Sequence, residues 1–492
     1  MATTTTTQPT TFGKPMLKHW LFDPSYKNLN HGSFGAHPAP VRDAQRAFLD
    51  IADLRPDPYI RKQHTKLLEK ARQGVATIIN APKEECVFVK NATTGVATVL
   101  YNLSFQPNEA LIYFEPVYGA VEKCIVSMQE HSPFQARKVN FHFPITQDEL
   151  ERRFRETVTR ARDEGLTVRA AVFDTIVSNP GVRFPFEKFV TICREEGILS
   201  VIDGAHGIGQ IPLDMNVLQP DFLTSNCHKY EYSHLLFTTT RYRPLLAVSP
   251  PRSAYTDIPA QMAIHPPAAQ PFSTSPSAIN ISCAAPSPRH GVSSLQPAQP
   301  KTIASVLQDP TAAKTQTPFE ELFEFVATSD DSAYICVEAA LKFRKEVCGG
   351  EEAIMAYCQK VSNEGADAIA SILGTEVLQE PGLKAGEKSM MRACALTTVR
   401  LPIAVADQPA DSDSDSTASG ALVTLSSQEA PRAFAFIQRT LLEKYDTFVP
   451  TFQHGPWLWT RLSGQIYLEK GDFEWLGGIL RELCEQIARK EY

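Results

Sequence analysis

Three apolar runs without alternation, at 169–176, 199–202 and 221–224, constrain this chain more than any other feature. A strand that is apolar at successive positions is buried on both faces. Each run gives way to polar or Gly-containing loop residues, and a helical segment at 186–196 separates the first two. Strand and helix alternating in this way predict a mainly parallel sheet covered by helices, an α/β fold. Shorter strands are expected at 86–89 and 111–114, and charged helical stretches from 67 onward and at 152–165. Pattern resumes after a gap. Residues 333–372 are helical around Gly349-Gly350, 398–403 reads as a strand, 433–445 as a helix, and 473–488 as an amphipathic helix.

The gap has its own composition. Of 36 prolines, 12 fall in 241–300, with Ser, Ala and Gln filling much of the rest, so we expect linker rather than a packed layer there. At roughly 100–200 residues per domain, a chain of 492 residues should hold two or three domains. The divisions we expect are a loose tail at 1–11, an N-terminal arm and part of a small domain at 12–79, and a large cofactor domain at 80–320. Within it, 230–318 is atypical and poorly ordered; a small α+β domain at 321–492 carries an acidic, Ser-rich loop at 409–420.

Charge narrows the function. There are 48 basic and 55 acidic residues, net −7, and no basic stripe, which argues against nucleic acid as a partner. No run of about 18 apolar residues is present to span a membrane. None of the ten cysteines forms C-x-x-C, and no Cys/His spacing suits zinc, so no metal site is expected. Without an apolar leader segment, a reduced cytoplasmic enzyme fits these features. Most of the cysteines should be small buried hydrophobes.

Four features carry chemistry. Asn91-Ala92-Thr93-Thr94-Gly95 stands between a strand and a helix, where amides and hydroxyls suit a phosphate, although a Thr there is more often a plain cap. Asp203, in Asp203-Gly204-Ala205-His206, ends an apolar strand, where open α/β sheets bind ligands. A carboxylate there can hold a protonated pyridine nitrogen, making pyridoxal phosphate an electron sink; a helix cap is the plainer role. Lys229, after Asn226-Cys227-His228, also follows an apolar strand, and such an amine can have a lowered pKa and bond to an aldehyde cofactor. Arg461 lies among apolar residues and needs a partner, either a substrate carboxylate or an internal salt bridge.

Taken together, the motifs resemble those of class V, fold type I pyridoxal-phosphate enzymes. The fungal branch with hercynylcysteine sulfoxide lyases, isopenicillin N epimerase-like proteins and the loline pathway enzyme is especially similar. Segments 29–35, 91–95, 117–120, 203–206, 226–229, 323–331 and 461–469 carry the resemblance, which spans roughly 12–229 and 319–492. It implies that Lys229 bonds the cofactor and moves protons, Asp203 pairs with the pyridine nitrogen, and His206 lies near the ring. Tyr118 would stack on the ring face, and Thr93, Thr94, Asn226 and His228 would hold the phosphate. Ser178 and Asn179 would contact the ring hydroxyl. Arg461 would clamp the substrate carboxylate, with Asn30 and His31 lining the substrate pocket. Thr328 would reach the phosphate of a second subunit, implying a homodimer, although Ala327 replaces the usual Gly. After Lys229 the family continues with a Trp and an apolar strand, which this chain replaces with Tyr230 and an altered stretch, so that strand is expected to be missing or rewritten.

The resemblance implies a lyase that cleaves a C–S bond in a cysteine-derived substrate. Epimerisation, transamination, condensation, desulfuration by a catalytic cysteine and a degenerate, non-catalytic homologue remain alternatives.

Overall fold

The computed structural model describes residues 10–230, 236–240, 330–384, 386–406 and 420–492. Residues 1–9 of the tail, Thr328, most of 230–318 and 409–419 of the acidic loop lie outside the described residues.

Among the described residues, nine strands precede residue 241: β1 (Cys86–Phe88), β2 (Glu109–Phe114), β3 (Gln135–Val139), β4 (Thr167–Asp174), the hairpin strands β5 (Ile176–Val177) and β6 (Val182–Arg183), β7 (Leu199–Gly204), β8 (Phe222–Asn226) and β9 (Leu236–Thr240). Seven form one sheet in the order β1-β9-β8-β7-β4-β2-β3. The five strands from β8 to β3 are parallel, and only β9 runs against its neighbours. The strand after the lysine, expected to be missing or rewritten, is present with a rewritten sequence at Leu236–Thr240. β9 pairs with β8 from Asn226↔Leu236 to Phe222↔Thr240 and with β1 on its other side.

Alternate residues of the parallel strands enter two separate cores, which explains why their sequences do not alternate in polarity. Leu111, Tyr113, Ala170, Val172 and Val201 pack with α3 (Ala92–Asn102) and α4 (Gly119–Gln129). Here α1 is Ala39–Leu54 and α2 is Thr65–Ile78. On the opposite face, Ile112, Phe114, Ala171, Phe173 and Ile202 pack with α5 (Gln147–Asp163) and α6 (Phe186–Glu196). Phe114 anchors this face, with the rings of Phe184 and Phe189 each 5.0 Å away. The helix boundaries follow local chemistry. Thr146 Oγ1 accepts from the Glu149 amide to start α5, and Gly197, at φ 70°, ends α6 in the left-handed region.

A second, four-stranded sheet, β11-β10-β13-β12, follows: β10 (Leu396–Val405), β11 (Val423–Leu425), β12 (Thr451–His454) and β13 (Trp457–Ser463). The helices of this part, after the short α7 (Cys227–Tyr230), are α8 (Val337–Glu346), α9 (Glu351–Leu373), α10 (Ala430–Tyr445) and α11 (Lys470–Ala488). The N-terminal segment is woven into it. Gly13 N–H donates to the Ile466 carbonyl, Lys14 N–H to Glu469, and Lys27 bridges to Thr447.

Candidate active site

The parallel strands deliver Asp203 and Lys229 to neighbouring positions. β7 and β8 pair in register, Asp203↔Thr224, so the Asp ends one strand and α7 begins where the next stops. Asp203 is buried, and its Oδ1 accepts the Ala205 amide at 2.9 Å. Lys229 Nζ lies 2.9 Å from His206 Nε2. Burial, reinforced by the Arg461 charge, brings the Lys229 amine down to about 7. Burial also holds the His206 imidazole well below its ordinary range, so the ring stays neutral. Its Nδ1 is buried without a partner among the described residues.

The α7 turn is held from two sides. The Gly35 backbone presses against it so closely that a Cβ at 35 would stand 1.9 Å from the His228 carbonyl oxygen. Arg344 of α8, fully buried, donates to the Tyr230 carbonyl at 2.5 Å and forks onto Glu351.

Start of α3 forms one wall. Asn91 Oδ1 caps it by accepting the Thr94 amide at 2.7 Å and the Thr94 hydroxyl at 2.8 Å. Asn226 Oδ1 accepts the Ala92 amide at 3.1 Å, tying this helix to β8. Of the two threonines assigned to phosphate, Thr94 thus has its hydroxyl proton committed to the cap. Thr93 is half-buried, and its hydroxyl makes no hydrogen bond to the described residues. Tyr118 is the N-cap residue of α4 and is 48 % exposed, so it is not an ordinary core tyrosine.

Opposite stands Arg461, on β13. The internal salt bridge held open for it is not formed: no carboxylate pairs with it among the described residues. Its Nη1 donates to the Ser178 carbonyl at 2.9 Å and hydroxyl at 3.2 Å, and its Nη2 to Asn30 Oδ1 at 3.0 Å and to Ser33. Nε is buried without a partner among the described residues. Burial lowers this guanidinium to about 10, leaving it charged at neutral pH. Space for its stem depends on Gly181, where a Cβ would lie 2.7 Å from Arg461 Cγ. His31 Nδ1 and the Tyr467 hydroxyl are 2.8 Å apart, and burial pushes His31 down to about 3.

The structure thus gathers Asn30, His31, Asp203, His206, Asn226, His228, Lys229 and Arg461 around the sheet's C-terminal edge, with Thr93 and Tyr118 at the starts of their helices. Ser178 is engaged with Arg461, whereas Asn179 is exposed in the loop after β5. Two residues escaped the sequence reading. Ser33 shares the Arg461 fork, and Asp174 lies opposite Asp203 in the β4–β7 ladder. Asp174 was detectable by the strand-end logic that found Asp203, whereas nothing in the local sequence marks Ser33.

Lys229 near the buried Asp203, the His206 Nδ1 unpartnered among the described residues, and the open first turn of α3 form a donor set that suits an aldehyde-bearing, phosphorylated pyridine.

A model of the aminotransferase class-V family matches residues 52–233. The chain is 37% identical over 484 residues to the L-cysteine desulfhydrase-like protein lolT1 of Epichloe uncinata, covering 98% of this chain and 97% of that one. It is 26% identical to the hercynylcysteine sulfoxide lyase of Schizosaccharomyces pombe, covering 96% and 98%. In fold, it is similar to the cystine C-S lyase C-DES, solved with its reaction product cysteine persulfide. The TM-score is 0.62 at 15% identity, covering 94% of this chain and 98% of that one.

Proposed function

The chain belongs to the class V aminotransferase family, and from that premise we propose that it is a pyridoxal-phosphate-dependent lyase that breaks a C–S bond in a cysteine-derived amino acid. Similarity to L-cysteine desulfhydrase-like and hercynylcysteine sulfoxide lyase proteins over nearly the whole chain supports the reaction class. The observation that carries the reading is the Arg461 guanidinium. It is buried, charged and held only by neutral acceptors, across the site from Lys229 and Asp203. That arrangement suits a substrate with an α-carboxylate.

Lys229 would bond the cofactor's aldehyde, Asp203 would face its pyridine nitrogen, and Tyr118 would cover the ring. Thr93, Asn226 and His228, with the α3 amides, would hold the phosphate, and Thr94 would support it through the cap. Ser178 and Asn179 would lie near the ring hydroxyl. Bound there, the cofactor draws electrons from the substrate's α-carbon, so that its proton becomes removable and a sulfur group on the β-carbon can leave.

The chain's own groups do the rest. Arg461 grips the carboxylate through its fork, and Asn30 and His31 close that end of the pocket. Lys229, an amine for a substantial part of the time at neutral pH, takes the proton at Nζ, and neutral His206 holds that nitrogen in place. A cysteine nucleophile is not needed. Of the nine cysteines described, eight are buried, and burial raises the half-buried Cys124 thiol to about 11.

We place the enzyme on cysteine sulfoxide conjugates of the ergothioneine type, in a reduced cytoplasmic setting to which the free thiols are suited. No described helix is long and apolar enough to cross a membrane. A homodimer is the assembly we infer, with Thr328 reaching the partner's phosphate site.

Purified protein mixed with pyridoxal phosphate should develop a visible absorption band that Lys229→Ala lacks. Incubation with a cysteine-conjugate sulfoxide should then release pyruvate and ammonia in equal amounts. An intact band with no release would overturn the lyase reading, and racemisation or amino-group transfer in its place would move the protein to another reaction of the same family.

A further inference from the structure

The β4–β7 ladder sets a second carboxyl beside the first. Asp174 is paired directly with Asp203, and residues paired in a parallel ladder point to the same face. Both have the parity of Val172 and Val201, which pack beneath α3 and α4. Asp174 is 5 % exposed and Asp203 2 %. Their surroundings differ in one respect. Asp203 accepts the Ala205 amide, which favours its ionised form. The Asp174 carboxyl accepts no hydrogen bond among the described residues, so only Lys229 favours its ionisation.

Groups facing Asp174 are few. From β7 comes Asp203 and from α7 comes Lys229. On its other side runs β2, but Glu115, which follows that strand, accepts the Phe141 amide at 2.9 Å. Two carboxylates this close in a dry pocket do not both ionise readily.

We propose that Asp174 is a positioning residue that acts through Asp203 and Lys229: it keeps the proton that Asp203 gives up, so that a single negative charge faces the cofactor's pyridine nitrogen at neutral pH. Burial, followed by the Asp203 charge, raises the Asp174 carboxyl well above the usual range, which agrees with this assignment. The inference rests on the function proposed above, because it needs the cofactor between Asp203 and Lys229. Its consequence appears on the alkaline side. When Asp174 ionises, a second negative charge helps the lysine-bound cofactor to keep its own proton.

Titration of the visible band of the holoenzyme tests this. Asp174→Asn retains the shape but cannot gain that charge. Its band should lose the protonated form at a lower pH than wild type, by about one pH unit. A structural role alone would lower the melting temperature and leave the midpoint in place; that result, or a midpoint moved upward, overturns the proposal. Should Asp174→Asn fail to fold, infrared spectra of wild-type holoenzyme decide instead. A carboxylic-acid carbonyl stretch that disappears in step with the alkaline change in the band is expected, and its absence overturns the proposal. Absence of any band in wild type would overturn the cofactor reading itself, a different failure from an unmoved midpoint.

Discussion

Arg461 carries a charge in a place where water cannot stabilise it, and three neutral partners, Asn30, Ser33 and Ser178, share the task. Charge-assisted hydrogen bonds contribute about 1.5–3 kcal/mol each, so a planar fork on a carboxylate is worth much more than a point charge. Arg461→Lys should therefore raise KM for the amino-acid substrate by about 100-fold while kcat falls less, as steady-state kinetics would read. His31 makes a pH prediction. The unfolded chain takes up a proton there as pH falls through 6.5, whereas the folded chain refuses it until about 3. Stability is therefore lost progressively as the solution is acidified across that window. The fall in urea midpoint between about pH 7.5 and about pH 5 should be smaller in His31→Gln than in wild type. Lys229 and Asp203 were legible in the sequence because each stands at the end of an apolar strand, and His206 through the family resemblance. Asp174 was hidden because the apolar run reads on through Thr175 to Ile176, although β4 itself stops at Asp174. Ser33 meets its partner across 428 residues, a contact no local pattern encodes.

Among the elements, α3 shows how one residue type serves two purposes. Asn91 satisfies the Thr94 amide and hydroxyl and so leaves Thr93 as the open donor of the first turn. Asn91→Ala should cost about 1 kcal/mol of stability in chemical denaturation, the usual value of an N-cap. It should also weaken cofactor retention, because the Thr94 hydroxyl then has no fixed acceptor. The parallel strands and their helices were legible because burial on both faces writes an unbroken apolar run. β9 was not. Its Leu-Phe-Thr-Thr-Thr is short, ends beside the proline-rich stretch, and owes its place to backbone pairing with β8 and β1.

At the scale of the whole molecule, Arg344 links the two sheets' territories. It is fully buried on α8, and it satisfies the carbonyl of the residue after Lys229 while pairing with Glu351. Removing one member of a buried ion pair typically costs about 3–5 kcal/mol. Glu351 is 30% exposed, so Arg344→Met should fall near the low end, at about 3 kcal/mol by urea denaturation, with weaker cofactor binding as α7 loosens. Asn30 with Arg461, His31 with Tyr467 and Lys14 with Glu469 are joined across more than 400 residues. Synthesis proceeds from the other end, at about 5–20 residues per second. The strands of the parallel sheet can therefore collect as they emerge, but Arg461, the proposed carboxylate clamp, joins the pocket only once β13 has left the ribosome. A nascent chain paused before that point would hold the lysine and its aspartates without the guanidinium proposed to grip a substrate, so on that reading catalysis waits for β13.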